Sequence, residues 1–486
     1  MAVLLGCVLF MAGALSCLFL IFVIGPLAVE RIVLREFRDL NFPIHTLNSS
    51  SLKTLLESVE PISRLFLTEK SLAHMTEKIR DQHKVRVQAA VNGINSDSEM
   101  VAYLSEAGLL GELGISREQA AGMLTSTDWA SHVLKPRSNH VQFFPGQAPQ
   151  HPVRLPAEFE NIGAVIVSFP IFFPKAWKAH ASLIREISSV AKAFVIVRNE
   201  FWQRAVQLYL QARNANLDAV FFLHVPTDDV WTRDYGPTAV YSGKDENPVL
   251  IWNPYYVANQ AYYKFDADVS ANLAQSLGLP VYRLPLIVEG GNIITEGKGA
   301  IMMFDSVLSM NPELTMEGLE KILAEYLGCE QLLLLPSLKG EITGHVDMVV
   351  KFLDENTLMV ASAHRRHRWH EGLEQTARRL AAANSINGKA YTIVRMPLPR
   401  RPASTHCFWS YVNSLILNRR VIVPVFGMAE DEEALQIYRS AMPGHEVAGV
   451  DFSSYPVGSI HCQSKEIPAR TLLLSERGPA SEDRRL

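Results

Sequence analysis

The sequence predicts an α/β protein built as a closed ring of five similar modules. Five times along the chain, apolar strand patterns are followed by a helical pattern and a further strand, at spacings of roughly 50 to 65 residues. Hairpin signals, such as Asn-Arg-Arg at 418–420, lie between strands of one module. Alternating helices and strands predict α/β layers, and radial repetition closes them into a ring. A doubly wound sheet is the second choice, because the chain lacks the glycine-rich phosphate loop that is typical of such sheets.

Each module is identified from apolar residues that recur with the period of a strand or a helix. The first module comprises a strand at 164–169, a helix at 179–193 and a strand at 194–197. The other four follow in chain order: Val240, 250–252, a helix at 267–277 and Val281; Ile293, 300–304, a helix at 316–327 and 332–335; 348–353, 357–361 and a helix at 373–383; and 414–417, 421–425 and a helix at 431–441.

The overall composition is that of a globular protein with a sizeable core. Of the 486 residues, 48% are hydrophobic and 20% are charged. The net charge of −4 provides no electrostatic footprint for nucleic acid, so we expect no nucleic-acid partner. Five cysteines, two of them within the first twenty residues, do not make a disulfide framework. Cys329, Cys407 and Cys462 are therefore interpreted as thiols.

The first 29 residues carry no charged side chain. This apolar run is longer than the roughly 20 residues that cross a bilayer, and no basic residues precede it. We therefore predict a single-pass membrane protein with an uncleaved N-terminal anchor at 1–29, and a cleaved signal peptide is the alternative. Arg31, Arg35 and Arg38 favour a cytoplasmic side after the anchor, whereas the glycosylation sequon at Asn48 requires a luminal one. The side of the membrane stays open.

The pattern along the chain predicts further boundaries. Helical spacing of leucines and charged segments predict a helical stalk or accessory region at 30–134. A proline-rich stretch at 135–151 is interpreted as a linker. The ring of modules occupies 152–475, and 476–486 is expected to be a disordered tail.

Each module carries a polar or aromatic motif close to its strands. The motifs are Trp-Thr-Arg-Asp-Tyr-Gly-Pro at 231–237, Glu-Gly-Gly-Asn at 289–292, Gly-His-Val-Asp at 344–347, Ser-Tyr-Val-Asn at 410–413 and Gly-Ser-Ile-His-Cys at 458–462. In a ring, equivalent positions converge on the axis, which would bring together Asp234, Glu289, His345, Asp347, Asn413 and Cys462. Three carboxylates around a thiol and an imidazole suit a planar cation with several N–H donors, and guanidinium is the biological example.

Taken singly, these residues have ordinary structural explanations. Asp234 could pair with Arg233, His345 could be a satisfied core histidine, and Asn413 could bond a turn. Cys462 alone would be a buried apolar thiol. The combination in this order along the chain is far more specific than any member.

These stretches resemble the agmatine deiminase and bacterial-type (Porphyromonas-type) peptidylarginine deiminase family, within the pentein or guanidino-modifying superfamily. The resemblance covers residues 152–469, because Val-Arg-Leu-Pro-Ala-Glu-Phe-Glu at 153–160 is similar to the opening motif of that family. It implies a five-bladed, pseudo-symmetric α/β propeller. It also implies hydrolysis of a guanidino group to a ureido group and ammonia, with no metal and no organic cofactor.

The resemblance further implies a role for each motif residue. Cys462 would be the nucleophile, and His345 would be the general acid for departing ammonia and then the general base for water. Glu289 would orient and charge His345. Four residues would contact the substrate: Asp234 and Asp347, which grip the guanidinium nitrogens, and Trp231 and Asn413, which line the site.

Two departures leave the substrate open between agmatine and arginine in peptides. The sequence at 303–312 replaces a Glu-Glu-Cys-Leu-Leu run that is typical of the agmatine enzymes, and 253–263 contains no arginine to hold a C-terminal carboxylate. Two other functions also stay open: an amidinotransferase of the same superfamily, and a catalytically silent, membrane-tethered binding module. A homo-oligomer is possible on this evidence.

Three histidines at intervals of three, His364, His367 and His370, suggest a metal site at first sight. Arginines lie between them and would repel a cation. We therefore interpret this stretch as a basic, solvated edge of a helix.

Overall fold

A computed structural model describes residues 91–126, 128–137, 141–252, 265–341, 343–400, 409–454 and 459–477. The chain divides into two compact units. The first comprises residues up to Arg117 together with Ile171–Lys175, and the second comprises Glu118–Pro170 and the chain from Ala176 onward.

The described part of the first unit contains two short helices, α1 (Asp97–Glu106) and α2 (Leu109–Leu113). Ser96 begins α1, because its hydroxyl accepts a hydrogen bond of 3.3 Å from the Glu99 backbone N–H. Between the two helices, Gly108 has a φ of 76°, which glycine adopts without steric cost. The Tyr103 hydroxyl donates a hydrogen bond of 3.0 Å to the Ile171 carbonyl, which joins the two segments of this unit.

The second unit contains eighteen described strands. In chain order they are β1 (Phe143–Phe144), β2 (Val153–Arg154), β3 (Ile162–Ser168), β4 (Lys192–Val197), β5 (Val220–His224), β6 (Thr238–Ser242), β7 (Asn247–Trp252), β8 (Val281–Arg283), β9 (Ile294–Thr295), β10 (Ala300–Phe304), β11 (Gln331–Leu335), β12 (Val350–Phe352), β13 (Thr357–Ser362), β14 (Thr392–Pro397), β15 (Leu415–Leu417), β16 (Arg420–Val425), β17 (Glu446–Asp451) and β18 (Lys465–Pro468).

The helices of the second unit alternate with these strands. They are α3 (Arg117–Ser126, whose first residue belongs to the first unit), α4 (Trp177–Ser188), α5 (Glu200–Ala212), α6 (Thr232–Tyr235), α7 (Val269–Leu277), α8 (Ser306–Met310), α9 (Met316–Leu327), α10 (His370–Ala381), α11 (Asp431–Ala441) and α12 (Ala469–Arg477). Seven one-turn 3₁₀ helices are also described in this unit: Ala130–His132, Pro174–Ala176 (which begins in the first unit), Leu217–Ala219, Asp266–Asp268, Gly290–Asn292, Val346–Met348 and His461–Gln463. The last of these contains Cys462.

The strands form five small sheets that repeat one topology. The sheet orders are β18-β3-β4-β5, β1-β8-β7-β6-β2, β11-β10-β9, β12-β13-β14 and β15-β16-β17. Each sheet contains an antiparallel pair that is followed by a parallel pair, for example β12 with β13 and then β13 with β14. At least one helix connects the two parallel strands every time, because parallel strands need a crossover. In the first sheet the antiparallel partner of β3 is β18, with Lys465 opposite Ile166.

The apolar runs of the sequence become strands that are buried on both faces. In β3 every residue except Gly163 is buried, as expected for a strand with layers on both sides. One core cluster joins Ile166 and Ile196 of the first sheet to Leu250 and Val281 of the second sheet and to Leu273 of α7. The first two sheets therefore pack against each other through shared apolar residues.

The structure places a strand, a helix and a second strand in each of the five predicted modules. It also contains elements that the pattern did not indicate. Among these are α5 and β5 of the first module, the short strands β1 and β2, β18, and the outer strands β14 and β17. The outer strands were missed because their residues are largely half-buried or exposed, and because charged residues interrupt β14 and stand at both ends of β17.

The stretch at 135–151, interpreted as a linker, contributes β1 to the second sheet, where β1 lies parallel to β8. Just before it, the Leu134 backbone N–H donates to the Phe222 carbonyl of β5 at 2.8 Å. The domain boundaries predicted from the sequence stay a prediction. Residues 30–90 of the expected stalk and 478–486 of the expected tail lie outside the described residues.

The predicted membrane localisation is corrected by the structure. Over the part of the chain that the structure describes, no helix combines the length and the apolar character needed to cross a bilayer. Residues 1–29, to which the anchor was assigned from their lack of charge, lie outside the described residues. An uncharged run was therefore insufficient ground for a single-pass membrane protein.

Candidate active site

Each of the five motifs precedes the first strand of the antiparallel pair in its sheet. Asp234 lies in α6, directly before β6, and Glu289 precedes the one-turn helix at Gly290–Asn292 before β9. Asp347 lies in the one-turn helix before β12, and Asn413 lies just before β15. Cys462 lies in the one-turn helix at His461–Gln463, before β18. Equivalent places in five sheets thus supply the five motifs.

The structure brings Cys462, Asp347 and Asn413 into direct contact. The Cys462 Sγ atom lies 3.4 Å from Oδ2 and 3.8 Å from Oδ1 of Asp347. The Asn413 side-chain amide donates to this sulfur at 3.2 Å, and its oxygen accepts from the Cys462 backbone N–H at 3.2 Å. Asn413 is fully buried, and its amide contacts both the side chain and the backbone of Cys462.

His345 lies between two other predicted carboxylates. Its Nε2 atom is 2.6 Å from Oε2 of Glu289, and its Nδ1 atom is 3.7 Å from Oδ1 of Asp234. Burial alone would lower the pKa of His345, but Asp234 and Glu289 outweigh it and raise this pKa to about 10. The imidazole is therefore a cation at neutral pH.

Glycines at 290 and 291 allow this close approach. A Cβ atom on Gly291 would lie 2.5 Å from His345 Nδ1 and 3.0 Å from Asp234 Oδ1. A Cβ atom on Gly290 would lie 2.1 Å from the Arg233 carbonyl oxygen. The Gly291 backbone N–H donates to Asp234 Oδ1 at 3.0 Å. Glycine at these places thus lets the backbone, rather than a side chain, contact the acid.

The carboxylates differ in their proton affinity. Burial and the neighbouring charges of Glu289 and Asp347 raise the pKa of Asp234 to about 7, although His345 opposes the rise. Burial would also raise the pKa of Asp347, but a hydrogen bond and the positive charge from His461 hold it below its ordinary value. Asp347 is therefore ionised at neutral pH, and Asp234 is divided between two protonation states.

The surroundings of Cys462 strongly disfavour the anionic form of its thiol. Burial, together with the negative charges of Asp347 and Asp234, raises its pKa well above the ordinary value. A cation placed between the two aspartates would remove that repulsion. The arrangement suits a reaction in which the substrate carries the positive charge.

Trp231 lies at the start of the α6 motif and is half-buried. Its ring packs against the apolar cluster of the first two sheets. Together with Asp234, Glu289, His345, Asp347, Asn413 and Cys462, it completes the set of residues predicted from the sequence. Six of the seven form two groups of short contacts, Asp234–His345–Glu289 and Asp347–Cys462–Asn413. The two groups adjoin, because ligand atoms of His345, Asp347 and Cys462 lie within 4.8 Å of one another.

A second group of buried charges lies behind the cysteine, and the sequence analysis assigned it no role. Arg233 donates to both carboxylate oxygens of Glu466, at 2.9 and 2.5 Å, and its Nε donates to the His461 carbonyl at 3.2 Å. His461 Nδ1 lies 2.7 Å from Asp347 Oδ2. The sequence offered one indication of this group: Arg233 and His461 directly precede Asp234 and Cys462 within their motifs.

Two overlapping groups of side chains could offer ligand atoms to a metal. The donor atoms of His345, Asp347 and Cys462 lie within 4.8 Å of one another, as do those of Asp234, Glu289 and His345. Glu289 and Asp347 each already contact an imidazole nitrogen at hydrogen-bond distance. We assign neither group to a metal.

The histidines at 364, 367 and 370 bond locally instead of converging. His364 Nδ1 accepts from the Arg366 backbone N–H at 3.3 Å, and His370 Nδ1 lies 2.8 Å from the Ala363 carbonyl. Among the described residues, they belong to no group with metal-ligand spacing.

Comparisons with known proteins agree with this site. Residues 154–468 match the family model described as Porphyromonas-type peptidyl-arginine deiminase. The chain is similar to proteins that carry the name "Putative agmatine deiminase": one from Marinomonas sp. (strain MWYL1) is 27% identical over 65% of this chain and 95% of its own. One from Selenomonas ruminantium is 26% identical over the same shares.

Solved structures show the same fold. The agmatine deiminase of Enterococcus faecalis is 22% identical, covers 68% of this chain and 99% of its own, and superposes with a TM-score of 0.58. An agmatine deiminase of C. jejuni is 19% identical over 65% of this chain and 95% of its own, with a TM-score of 0.56. The fold is thus the α/β fold of the penteins. The family match spans well over half of the chain, and the chain therefore belongs to the Porphyromonas-type peptidyl-arginine deiminase family.

Proposed function

We propose that the protein is a hydrolase that converts a guanidino group to a ureido group and ammonia. The observation that carries this proposal is the placement of a buried thiol 3.4 Å from one carboxylate, in a site where Asp234, Glu289 and Asp347 outnumber the one catalytic imidazole. Such a site is electrostatically matched to a cation. Membership in a deiminase family supports the same reaction.

In the proposed first half-reaction, the guanidinium binds between Asp234 and Asp347. The positive charge of the guanidinium lowers the free energy needed to ionise the Cys462 thiol, and the thiol proton passes to solvent. The Cys462 sulfur then bonds to the guanidinium carbon. His345, a cation at rest, protonates one nitrogen, and the carbon–nitrogen bond breaks to release ammonia and leave a thiouronium intermediate.

In the second half-reaction, His345 is neutral and accepts a proton from water as the water oxygen attacks the same carbon. The carbon–sulfur bond then breaks, and its electron pair returns to sulfur. The proton of the added hydroxyl passes to that sulfur, which releases the neutral ureido product and restores the Cys462 thiol. Glu289 keeps the ring of His345 in place through the contact at Nε2, so Nδ1 faces the Asp234 side. These steps require proton transfer and charge stabilisation, and we propose no cofactor for them.

We propose a role for Asn413 that follows from its contacts. Its amide donates to the Cys462 sulfur and would stabilise the anion there, and its oxygen fixes the Cys462 peptide. Trp231 is proposed to line the substrate from the first turn of its motif.

We further propose that the five sheets form the blades of a pseudo-symmetric propeller, with residues 152–475 as the deiminase domain.

The substrate is proposed to be agmatine or an arginine side chain in a peptide. The test is a panel of agmatine, free arginine and peptides with internal or C-terminal arginine, assayed for ammonia and for the ureido product. We expect ammonia release with water as the only acceptor. Amidino transfer that requires glycine or another amine would replace the proposal with an amidinotransferase, and no reaction under either condition would favour a binding module.

A further inference from the structure

A continuous line of buried charges runs away from the candidate site on the side of Asp347. His461 Nδ1 contacts Asp347 Oδ2 at 2.7 Å, and His461 Nε2 lies 3.3 Å from Glu158 Oε2. The same Glu158 oxygen contacts Lys351 Nζ at 2.5 Å. The side chains of His461 and Lys351 are each 3% exposed, and that of Glu158 is 13% exposed.

The far end of this line is fixed in the scaffold. Glu158 uses its second oxygen, Oε1, to accept the Ile416 backbone N–H of β15 at 2.6 Å. Lys351 belongs to β12, the strand that follows the one-turn helix of Asp347. The backbone of His461 is also held, because Arg233 donates to its carbonyl. Each member is thus tied to a strand or to a buried ion pair.

Carboxylates flank both ring nitrogens of His461. Burial alone would raise the pKa of Glu158, but Lys351 and His461 lower it to about 2, and the pKa of Asp347 is also lowered. Both carboxylates are therefore ionised at neutral pH. His461 thus has an ionised carboxylate 2.7 Å from Nδ1 and another 3.3 Å from Nε2.

We propose that His461, supported by Glu158 and Lys351, is a positioning residue that orients Asp347 toward a cationic substrate. The inference rests on the proposed function for its meaning in turnover. His461 contacts Oδ2 of Asp347, the oxygen nearer the sulfur. Among the described residues, Oδ1 has only the long contact of 3.8 Å with the sulfur, so this oxygen can accept from the guanidinium. The carboxylate plane is thereby set relative to the nucleophile.

The charges around Asp347 allow the effect of removing His461 to be predicted. The titratable and charged groups that face Asp347, directly or through its neighbours, are His461, His345, Arg233, Cys462, Asp234, Lys465, Glu158 and Lys351. His461 supplies both the hydrogen bond and the largest attraction. Without it, the desolvated Asp347 holds a proton more tightly, so the residue is ionised only at higher pH.

The test compares His461→Ala, His461→Asn and Glu158→Gln with the unmodified chain, and the exposed His364→Ala serves as the matched control. Two readouts are used. The first is ammonia release against pH, with kcat and KM separated. The second needs no turnover: it is the rate at which cationic 2-chloroacetamidine alkylates Cys462, relative to neutral iodoacetamide, measured on the isolated Cys462 peptide.

We expect His461→Ala to raise KM by about tenfold or more, since a charge-assisted contact is lost. The acid limb of kcat/KM should become steeper and move to higher pH, because Asp347 then titrates together with Asp234. The preference for the cationic alkylating reagent should fall by a similar factor. His461→Asn can donate to Asp347 without a charge, so its KM should lie between those of the unmodified chain and of His461→Ala. Its acid limb should stay at the higher pH. Glu158→Gln should also move the acid limb to higher pH.

The proposal is overturned if folded His461→Ala keeps its KM, its acid limb and its reagent preference within about twofold of the unmodified chain. If His461→Ala does not fold, the same criterion applies to His461→Asn and Glu158→Gln. If the unmodified chain releases no ammonia from any guanidino compound, the proposed function fails, and the alkylation preference alone still decides whether His461 sets the charge of Asp347.

Discussion

The thiol of Cys462 is surrounded by groups that oppose its ionisation, so its reactivity depends on what binds beside it. We expect Cys462→Ser to abolish ammonia release without changing the thermal unfolding midpoint, because a hydroxyl is a far weaker nucleophile toward guanidinium. Cys329→Ser is the matched control and should retain activity, since burial raises the pKa of Cys329 to about 11 and this thiol takes no part. Retention of more than a few per cent of activity in Cys462→Ser would contradict the assignment.

Two aspartates are proposed to hold the substrate, and each can be neutralised without a change of size. We expect Asp234→Asn and Asp347→Asn each to lower kcat/KM by at least about 10² to 10³, since losing a charge-assisted contact in a water-excluded site costs about 2–4 kcal/mol. Asp245→Asn, at an exposed position, controls for the same chemical change. Near-normal kcat/KM in either buried variant would remove that residue from the proposed site.

We expect the effect of Glu289 to appear in the basic limb of the dependence of kcat on pH. His345 is proposed to act first as an acid, so we expect kcat to fall as the pH rises through its pKa, which Asp234 and Glu289 raise to about 10. Glu289→Gln removes one of the two anions that raise this pKa. The pKa of His345 should therefore drop, and the basic limb of kcat should move to lower pH. An unchanged limb, measured between about pH 6 and 11, would mean that Glu289 does not charge His345.

The sequence alone was informative about residues that stand in distinctive motifs. Asp234, His345 and Cys462 were predicted because each lies in a short run of polar, aromatic or glycine residues between apolar strands. Glu158 lies in the opening motif at 153–160, but nothing in that motif indicates its partner, and Lys351 is a single charge within an apolar run. Their partners lie elsewhere in the chain, so only the folded structure shows that Glu158 contacts both Lys351 and His461.

At the scale of elements, the one-turn helix at Gly290–Asn292 determines how closely two sheets approach each other. We expect Gly291→Ala to reduce activity strongly while the protein stays folded, because the added Cβ would lie 2.5 Å from His345 Nδ1. The comparison is Gly122→Ala in α3, where nothing lies within 4 Å of the new methyl group. That change should leave kcat unaltered and stabilise the helix by about 0.5–1 kcal/mol. Equal kcat in the two variants would show that the close approach is unimportant.

The prediction of elements succeeded where apolar runs become strands buried on both faces, as in β3 and β10, and failed at the outer strands. The residues of β14 and β17 are held by backbone hydrogen bonds to β13 and β16, which any sequence can make. The predicted linker likewise hid β1, because a strand of two residues has no period to detect. Partners in space, and not local pattern, decide these elements.

For the whole molecule, all the proposed catalytic residues lie in the second compact unit. We expect a shortened chain that begins at Glu118 to fold and to show full activity on small guanidino compounds. A chain that begins at 145 should be less stable or inactive, because it lacks β1 and the contact of Leu134 with Phe222. Thermal unfolding and ammonia release distinguish the two. Loss of activity in the chain that begins at Glu118 would show that the first unit is needed for a complete site.

The pairing of β18 with β3 has a consequence for synthesis on the ribosome. Translation proceeds from the N-terminus, so β3 emerges early and must wait for its antiparallel partner until the motifs of all the other sheets have been made. The proposed nucleophile, Cys462, is made with that same partner, only three residues ahead of β18. A nascent or prematurely terminated polypeptide thus carries the acids and the imidazole but not the Cys462 sulfur. We therefore expect no chemistry at arginine-like groups until the last sheet has received β18.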